Sequence, residues 1–421
     1  MFFLLNNFTV AFEGTVFRIK ERQAVNPIPY GLIHYKNFGD IMKLKYHALA
    51  IASMATLGMV TTAHAAKVGA DFEVYGNLYP QYQSSSYDGG TSSATSALPK
   101  ASKSTALVDK TQVTPVNSYI GFKASRKFGE VRAGFDLQGN VSLDESSKDA
   151  GFTTKPRDAY VFVQHEKFGT VTMGQMDTIY KKYGDRVRML GVSSSNFVST
   201  STVASDVSWK SAANFNTRIG QHLAYETPTL NGFKAGFSQA KPWDKGLATT
   251  KKLSSAGVNW SNKTYYVGLA QETHKGYIAA GNDKDTGNRL SLGYTAGKLR
   301  VGMDFSNLSY DNPNAAVSNY KTTTWQVTGQ YALTNQWTVA ANFAKGNAGS
   351  CTLVSGAACA TTGLGGDMMS LGARYDYDKD IGIFMLYGKK NANANASFNS
   401  SAATMFGGSL TDMSVGVQFK F

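Results

Sequence analysis

The 421-residue sequence has no long apolar run after Val60, and cysteine, proline and histidine are scarce. A membrane-spanning helix needs about 20 predominantly apolar residues, so the sequence excludes a helical membrane protein. The formal net charge is +13, but the basic residues are scattered and form no basic run. Because a nucleic-acid partner needs a concentrated basic surface, this distribution argues against nucleic-acid binding.

The few residues that could hold a metal ion or carry catalysis do not form a recognisable site. Three histidines follow residue 65, and none lies near a cysteine: His165, His222 and His274. Asp376, Asp378 and Asp380 lack the glycine and the distant glutamate of a calcium-binding loop, which favours a solvated turn. The sequence therefore predicts no metal, no cofactor and no enzymatic activity.

The N-terminal region has the order of features that defines a secretory signal. Lys43 and Lys45 precede the apolar run 48–60, and the small-residue sequence 63–65 (AHA) closes it. We predict a Sec signal peptide over residues 42–65, cleaved after Ala65. Residues 1–41 are interpreted as an upstream extension from a start codon assigned too early, the alternative being a long amphipathic targeting extension. The mature chain, residues 66–421, loses six basic and three acidic residues, which lowers its net charge to +10.

Glycine and aromatic residues are abundant, with 42 glycines, 24 phenylalanines and 22 tyrosines. At the C-terminus, apolar residues alternate with polar residues or glycine; the apolar positions are Met413, Val415, Val417, Phe419 and Phe421. A period of two with one apolar face predicts a strand with one wet side. Nothing after Phe421 could cover the apolar face, so we expect lipid to contact it.

The same alternation recurs along the chain between short turns and longer polar segments. It predicts an all-β fold, a sixteen-stranded antiparallel transmembrane β-barrel, with both termini on the side of the short turns. Closure matters because an open edge would leave unpaired backbone groups in hydrocarbon. The sixteen strands are predicted to begin near Asp71, Pro115, Glu130, Arg157, Val171, Phe215, Gly232, Leu253, Thr264, Asn288, Lys298, Thr322, Gln336, Met368, Gly382 and Leu410.

Several motifs, in this order, resemble the trimeric general porins of β-proteobacteria and Neisseria. They are SYIGFK at 118–123, RDAYVFV at 157–163, FGTVTMGQ at 168–175, FNTRI at 215–219, YETP at 225–228 and VGVQFKF at 415–421. The resemblance covers most of residues 66–421. Three positions depart from the family pattern: Tyr119 and Gln175 stand where arginine is usual, and the usual acidic residue after Gln138 is absent.

The resemblance implies an outer-membrane channel for passive diffusion of small hydrophilic solutes and ions. In the family the third outer loop, here residues 177–214, folds into the lumen and narrows it. Its acids Asp185 and Asp206 would then face a basic wall formed by Lys123, Arg132, Arg157 and Arg218. Together with the positive net charge, this arrangement favours weak anion preference.

The position of the basic wall rests partly on the alternation. The alternation of apolar and polar residues directs Lys123, Arg132 and Arg218 into the lumen. Strict alternation instead places Arg157 on the same face of its strand as Ala159 and Val161. The alternative for each residue is a solvated lumen charge away from the narrowest point, because the lumen face is polar along its whole height.

Cys351 and Cys359 lie in a loop-like segment of a secreted chain, which predicts a disulfide bond within the seventh outer loop. The resemblance implies a homotrimer in contact with outer-membrane lipids and lipopolysaccharide. It also implies that barrel-assembly machinery reads the last strand, which ends on Phe421. A substrate-selective channel for phosphate or organic anions remains an alternative function, as does an adhesin or structural barrel.

Overall fold

The computed structural model describes residues 72–90, 109–115, 117–142, 151–191, 215–241, 251–276, 284–314, 316–394, 396 and 407–421. The predicted signal peptide and the N-terminal extension lie outside these residues. Within these ranges, no helix has the length and apolar character needed to cross a membrane.

The described residues form one antiparallel β-sheet and two short helical segments. The strands of the first half are β1 (Phe72–Leu78), β2 (Pro80–Asp88), β3 (Lys110–Pro115), β4 (Tyr119–Phe128), β5 (Val131–Ser142), β6 (Gly151–His165), β7 (Gly169–Asp177), β8 (Arg218–Glu226), β9 (Phe233–Ala240) and β10 (Lys252–Ser261). Those of the second half are β11 (Tyr265–Lys275), β12 (Lys284–Ala296), β13 (Leu299–Asn314), β14 (Val317–Ala332), β15 (Trp337–Gly346), β16 (Ser350–Leu353), β17 (Ala358–Cys359), β18 (Gly366–Asp376), β19 (Ile381–Ala392) and β20 (Ser409–Lys420). The helical segments are α1 (Ile179–Lys182) and a 3-10 turn, Met189–Gly191.

These segments make sixteen barrel strands. β1 and β2 are one strand interrupted at Tyr79, and β3 and β4 are one strand interrupted just after Pro115. β16 and β17 form a small hairpin outside the wall. β20 pairs with β19 on one side and with β1 and β2 on the other, which closes the barrel. The predicted sixteen-stranded antiparallel barrel is confirmed.

Side chains alternate between the two faces of the wall. On β20 the outward side chains are 41–59% exposed: Met413, Val415, Val417 and Phe419. Between them are inward polar side chains that are at most 7% exposed: Asp412, Ser414 and Gln418. This confirms the amphipathic pattern predicted from the C-terminal sequence. A wall with an apolar outside and a polar inside is the arrangement of a barrel in lipid.

The two ends of the barrel differ in their connections. At one end, here the turn end, two to six residues join the strands. The other end, the loop end, bears the longer connections, with one exception at β13 and β14. These strands have sixteen residues each, and only residues 315 and 316 join them. The β16–β17 hairpin pairs with the loop end of β14 through β16, and Cys351 lies opposite Tyr320 in this pairing.

Thirteen strands begin within four residues of their predicted starts. The other three begin five or six residues earlier, at Lys110, Gly151 and Val317. All three run from the loop end toward the turn end, so the additional residues extend the wall at its loop end.

Candidate functional site

The connection between β7 and β8 enters the barrel, as predicted. We call residues 178–217 the inserted loop, of which 178–191 and 215–217 are described. Its first turn is helix α1, which begins after Thr178 because that hydroxyl accepts a hydrogen bond from the Lys181 backbone N–H at 3.3 Å. Ile179 and Tyr180 on this helix are 1% exposed, so the loop packs against the inner wall.

Inward-facing glycines make room for the inserted loop. The Tyr183 side chain lies over Gly236 of β9 and Gly257 of β10, where a Cβ atom would approach its ring to 3.3 and 2.9 Å. Farther along, a Cβ on Gly302 would lie 2.9 Å from Val187 Cβ, and one on Gly372 would lie 2.7 Å from Leu190 Cδ1. A side chain at any of these positions would push the loop toward the channel axis. The glycines therefore determine how closely the loop follows the wall.

Hydrogen bonds fix the loop to strands β10, β11 and β13. Two hydrogen bonds join Tyr180 to the wall: its backbone N–H donates to Ser255 Oγ at 2.7 Å, and its hydroxyl donates to Ser306 Oγ at 3.1 Å. The Tyr266 hydroxyl donates to the Tyr183 carbonyl at 2.8 Å. Burial raises the pKa of the Tyr180 hydroxyl, which keeps it a neutral donor. Buried polar groups with fixed partners hold this part of the loop in one position.

At the far end of its described part, the loop reaches the opposite side of the lumen. Leu190 has a φ of 49°, an unusual value for a bulky side chain, and it is 3% exposed. The Tyr79 hydroxyl donates to its carbonyl at 3.3 Å, and the Tyr79 ring stacks on Phe384 at 4.3 Å. The interruption between β1 and β2 thus coincides with a contact that holds the loop.

The root of the loop carries a network of opposite charges. Arg218 of β8 pairs with Asp158 of β6 at 2.7 Å and with Asp177 of β7 at 3.2 Å. Lys181 of α1 also pairs with Asp177, at 3.2 Å. Burial lowers the pKa of the Lys181 ammonium, and the neighbouring Asp177 partly offsets that effect. Arg218, a predicted wall residue, is thus paired with two carboxylates that were not among the predicted site residues.

A β-bulge brings Arg157 next to this network. Leu137 of β5 pairs with Ala159 of β6 and Gly139 pairs with Pro156, so β6 has one extra residue beside Gln138. A bulge re-aims the side chains of the bulged strand. The Arg157 guanidinium donates to Asn117 Oδ1 at 3.2 Å and lies 4.9 Å from the centre of the Tyr119 ring.

Lys123 lies in a separate cluster on β1, β4 and β5. It pairs with Glu73 at 2.9 Å, and its ammonium lies 4.6 Å from the centre of the Tyr75 ring. The Tyr75 hydroxyl donates to Asp136 at 2.5 Å and accepts from the Gln138 amide at 2.9 Å. Lys123 is 43% exposed and Glu73 is 56% exposed, so solutes in the lumen can reach both charges.

The remaining predicted residues are not part of either cluster. Arg132 is the second residue of β5, next to the turn end, and it is exposed. Asp185 lies on the side of β12 and β13, where its backbone N–H donates to Asp304 Oδ1 at 3.2 Å and its carboxylate is 3.8 Å from Arg188. Asp206 lies outside the described residues.

The acidic partners of the basic wall were not predicted from the sequence. Asp158 stands within the matched motif RDAYVFV, and Asp177 stands two residues after FGTVTMGQ. Their positions in or near these motifs mark both acids as candidate site residues. Their pairing with Arg218, however, depends on the register between β6 and β7 and between β7 and β8. Glu73 likewise meets Lys123, and Asp136 meets Tyr75, only because β4 pairs with both β1 and β5 in the sheet.

The two cysteines and the last residue lie away from the lumen. The structure joins Cys351 to Cys359 across the β16–β17 hairpin, with Cα atoms 5.3 Å apart. That separation is within the range of bonded cysteines. Phe421 is 47% exposed on the outside of the barrel, and its backbone pairs with Gly76 of β1.

A closed sixteen-stranded barrel with an apolar outside, a charged lumen and a loop packed inside it defines a channel of the outer membrane. Among the described residues, no group of three or more histidine, cysteine, aspartate or glutamate side chains could hold a metal ion.

Comparisons with known proteins identify the family. The family profile described as Gram-negative porin matches residues 48–395, so the chain belongs to this family and resides in the outer membrane. No curated protein matches the sequence.

Solved porins share the fold at low sequence identity. An anion-selective porin from Comamonas acidovorans is 14% identical, covering 83% of this chain and 99% of that one, with a TM-score of 0.63. The trimer form of OmpT of Vibrio cholerae is 13% identical over 83% and 99% of the two chains, with a TM-score of 0.57. OmpF of Salmonella typhi is also 13% identical, over 83% and 97%, with a TM-score of 0.57.

Proposed function

We propose that this porin is a homotrimeric general-diffusion channel for small hydrophilic solutes and ions, with a weak preference for anions. Sixteen strands enclose an aqueous channel wide enough for such solutes. The observation that carries the proposal is the docking of residues 178–191 against the inner wall of the closed barrel, which places charged side chains of the loop in the lumen.

The weakness of the preference follows from the paired charges. At the root of the loop, the cations Arg157, Lys181 and Arg218 stand beside Asp158 and Asp177, which leaves one positive charge in excess. The Lys123–Glu73 pair adds no net charge. A basic ring favours anions, but neighbouring carboxylates reduce its field. The anion-selective porin from Comamonas acidovorans shares this fold, which is consistent with the proposed sign.

The proposed trimer is consistent with the trimer form of Vibrio cholerae OmpT. Assembly in the membrane would require barrel-assembly machinery and contact with lipid and lipopolysaccharide. A band of monomer size from unheated membranes, at every detergent concentration on a native gel, would contradict the homotrimer.

Two other functions remain testable for the same fold. A substrate-selective channel would show a conductance that saturates with phosphate or an organic anion, and an adhesin or structural barrel would show no conductance. Planar bilayer recordings in potassium chloride gradients distinguish them from the proposal. We expect conductance that rises in proportion to salt and a small reversal potential of the sign for anion preference. A reversal potential of the opposite sign would contradict the proposed selectivity.

A further inference from the structure

Three exposed lysines form a row on the outside of the barrel at its loop end. Lys252 of β10 lies directly opposite Lys275 of β11, which lies directly opposite Lys284 of β12. Residues directly opposite each other in antiparallel strands have Cβ atoms about 5 Å apart, and like charges so placed destabilise a sheet. Within the described part of the chain, none of the three forms an ion pair with an acidic side chain. We call these residues the lysine row.

The alternation of β11 shows that the lysine row faces the membrane side. Tyr265, Val267 and Leu269 are 38–52% exposed on the outward face. Gln271 and Lys275 continue the same face because they are separated from these residues by even numbers of positions. The lysine row therefore lies above the apolar part of the wall and outside the lumen.

The height of the row matches the edge of the hydrocarbon. Lys275 is ten residues beyond Tyr265, about 34 Å along the strand at about 3.4 Å per residue. With a strand tilt of about 40°, this corresponds to a height of about 26 Å, and the apolar band of such barrels is about 25 Å tall. If Tyr265 marks the lower edge of the band, the lysine row stands where lipid head groups begin.

Polar side chains occupy the same outward face between the lysine row and the apolar rows. The hydroxyl-bearing cross-strand row is Ser254, Thr273, Thr286 and Ser309, followed by Lys321. One step nearer the turn end is the row Gln271, Asn288, Asn307 and Thr323. The Gln271 amide donates to Asn288 Oδ1 at 2.8 Å, so these two side chains satisfy part of each other's hydrogen-bonding capacity. Polar groups near hydrocarbon are costly without partners, so this surface fits a lipid that carries hydrogen-bonding groups.

We propose that the lysine row binds the phosphate groups of lipopolysaccharide, the phosphorylated glycolipid of the outer leaflet. A phosphate between adjacent ammonium groups would accept charge-assisted hydrogen bonds and offset their mutual repulsion. The hydroxyl row lies about 5 Å below the lysine row and the amide row about 10 Å below it, so both would contact the acyl-linkage groups of such a lipid rather than its phosphates. This site lies outside the channel, so it does not depend on which solutes pass through the lumen.

Two outward lysines elsewhere in the described part of the barrel, Lys345 and Lys389, lack this arrangement and provide a control. Lys345 of β15 lies directly opposite Asp367 of β18. Lys389 of β19 lies opposite Met369 and Thr411. Replacing Lys345 and Lys389 removes the same charge as replacing Lys275 and Lys284, but it leaves the lysine row intact.

The test measures binding of the purified, folded protein in detergent to lipopolysaccharide, to lipopolysaccharide stripped of phosphate, and to inorganic phosphate. We expect Lys275→Gln/Lys284→Gln to weaken lipopolysaccharide binding by at least about tenfold. Lys345→Gln/Lys389→Gln should bind as the unmodified protein does, and removal of phosphate from the lipid should reproduce the loss. Single-channel conductance in both variants reports that the barrels are folded and separates this test from that of the proposed function.

Equal lipopolysaccharide affinity in the two double variants would overturn the proposal. So would equal binding of the phosphorylated and stripped lipids. Inorganic phosphate that bound the lysine row as tightly as lipopolysaccharide would also overturn it, because the site would then be one for free anions.

Discussion

Phe421 and Gly76 join the last strand to the first. The Gly76 N–H donates to the Phe421 carbonyl at 3.0 Å, and the Phe421 N–H donates to the Gly76 carbonyl at 3.3 Å. A Cβ atom on Gly76 would lie 2.7 Å from Phe421 Cε1, so the ring occupies the space that a side chain would need. The closure of the barrel at its turn end thus depends on the pairing of an aromatic residue with a glycine.

Changing Phe421 should impair assembly more than export. We expect deletion of Phe421, or Phe421→Asp, to leave the precursor exported but to lower the yield of folded barrel, because both changes remove an apolar anchor from the closing strand. Heat-dependent gel mobility of outer-membrane fractions measures the folded yield. Gly76→Val should show the same defect through the clash with the ring. Normal folded yield of the Phe421 variants would refute the role of this residue.

Loosening the inserted loop should widen the channel. Tyr180→Ala removes a fully buried ring, a change that typically costs about 3–5 kcal/mol in a packed core, so the loop should detach from the wall. We expect larger and noisier single-channel conductance. Tyr180→Phe removes only the hydrogen bond to Ser306 and should conduct nearly as the unmodified channel does. If the alanine variant also keeps its conductance, the loop does not limit the flow of ions.

Arg218 should contribute more to selectivity than Arg132. Replacing Arg218 with glutamate adds a third negative charge beside Asp158 and Asp177. A unit charge about 15 Å from an ion contributes roughly 1 kcal/mol at an effective dielectric of about 20, before screening. We therefore expect Arg218→Glu to lower the anion-to-cation permeability ratio by about twofold to fivefold, and less at high salt.

Arg132→Glu makes the same charge change at the turn end of β5 and is the matched control. Reversal potentials in a salt gradient measure both variants. Arg218→Gln serves as a milder variant if the glutamate variant fails to fold. An Arg132 effect equal to that of Arg218 would place the selective region elsewhere in the lumen.

Loss of the disulfide bond should affect its loop and spare the barrel. The crosslink closes a loop with a sequence separation of 8, for which the chain-entropy contribution is at most about 3 kcal/mol. Cys351→Ser/Cys359→Ser should therefore retain the thermal stability of the barrel while proteases cleave residues 347–365 faster. Thiol labelling of both cysteines in the native protein would contradict the pairing itself.

The strands of the wall were predictable from the sequence because the side chains that face lipid must be apolar, whereas those that face the lumen are polar. Wherever both faces are constrained, as in β20, alternation alone located the strand. The alternation did not locate the loop ends of β3, β6 and β14, which begin earlier in the structure than predicted. These ends extend the wall beyond the alternating segments, so no periodic signal marks them.

The candidate site was only partly predictable because bulges and closure determine it. The extra residue in β6 brings Arg157 to Asn117 and Tyr119, although simple alternation places it beside Ala159 and Val161. A second irregularity, near Gln221 with its φ of 50°, interrupts the alternation between Arg218 and His222. Sequence periodicity cannot reveal a one-residue insertion whose partner is on another strand.

Liposome swelling with uncharged sugars of increasing size tests the central claim most directly, because it reports flux through an open, water-filled lumen without the influence of charge. Proteoliposomes containing the folded protein should swell at rates that fall smoothly with solute size and rise in proportion to solute concentration. Swelling that saturates with one solute, or no swelling above that of protein-free liposomes, would contradict a general-diffusion channel.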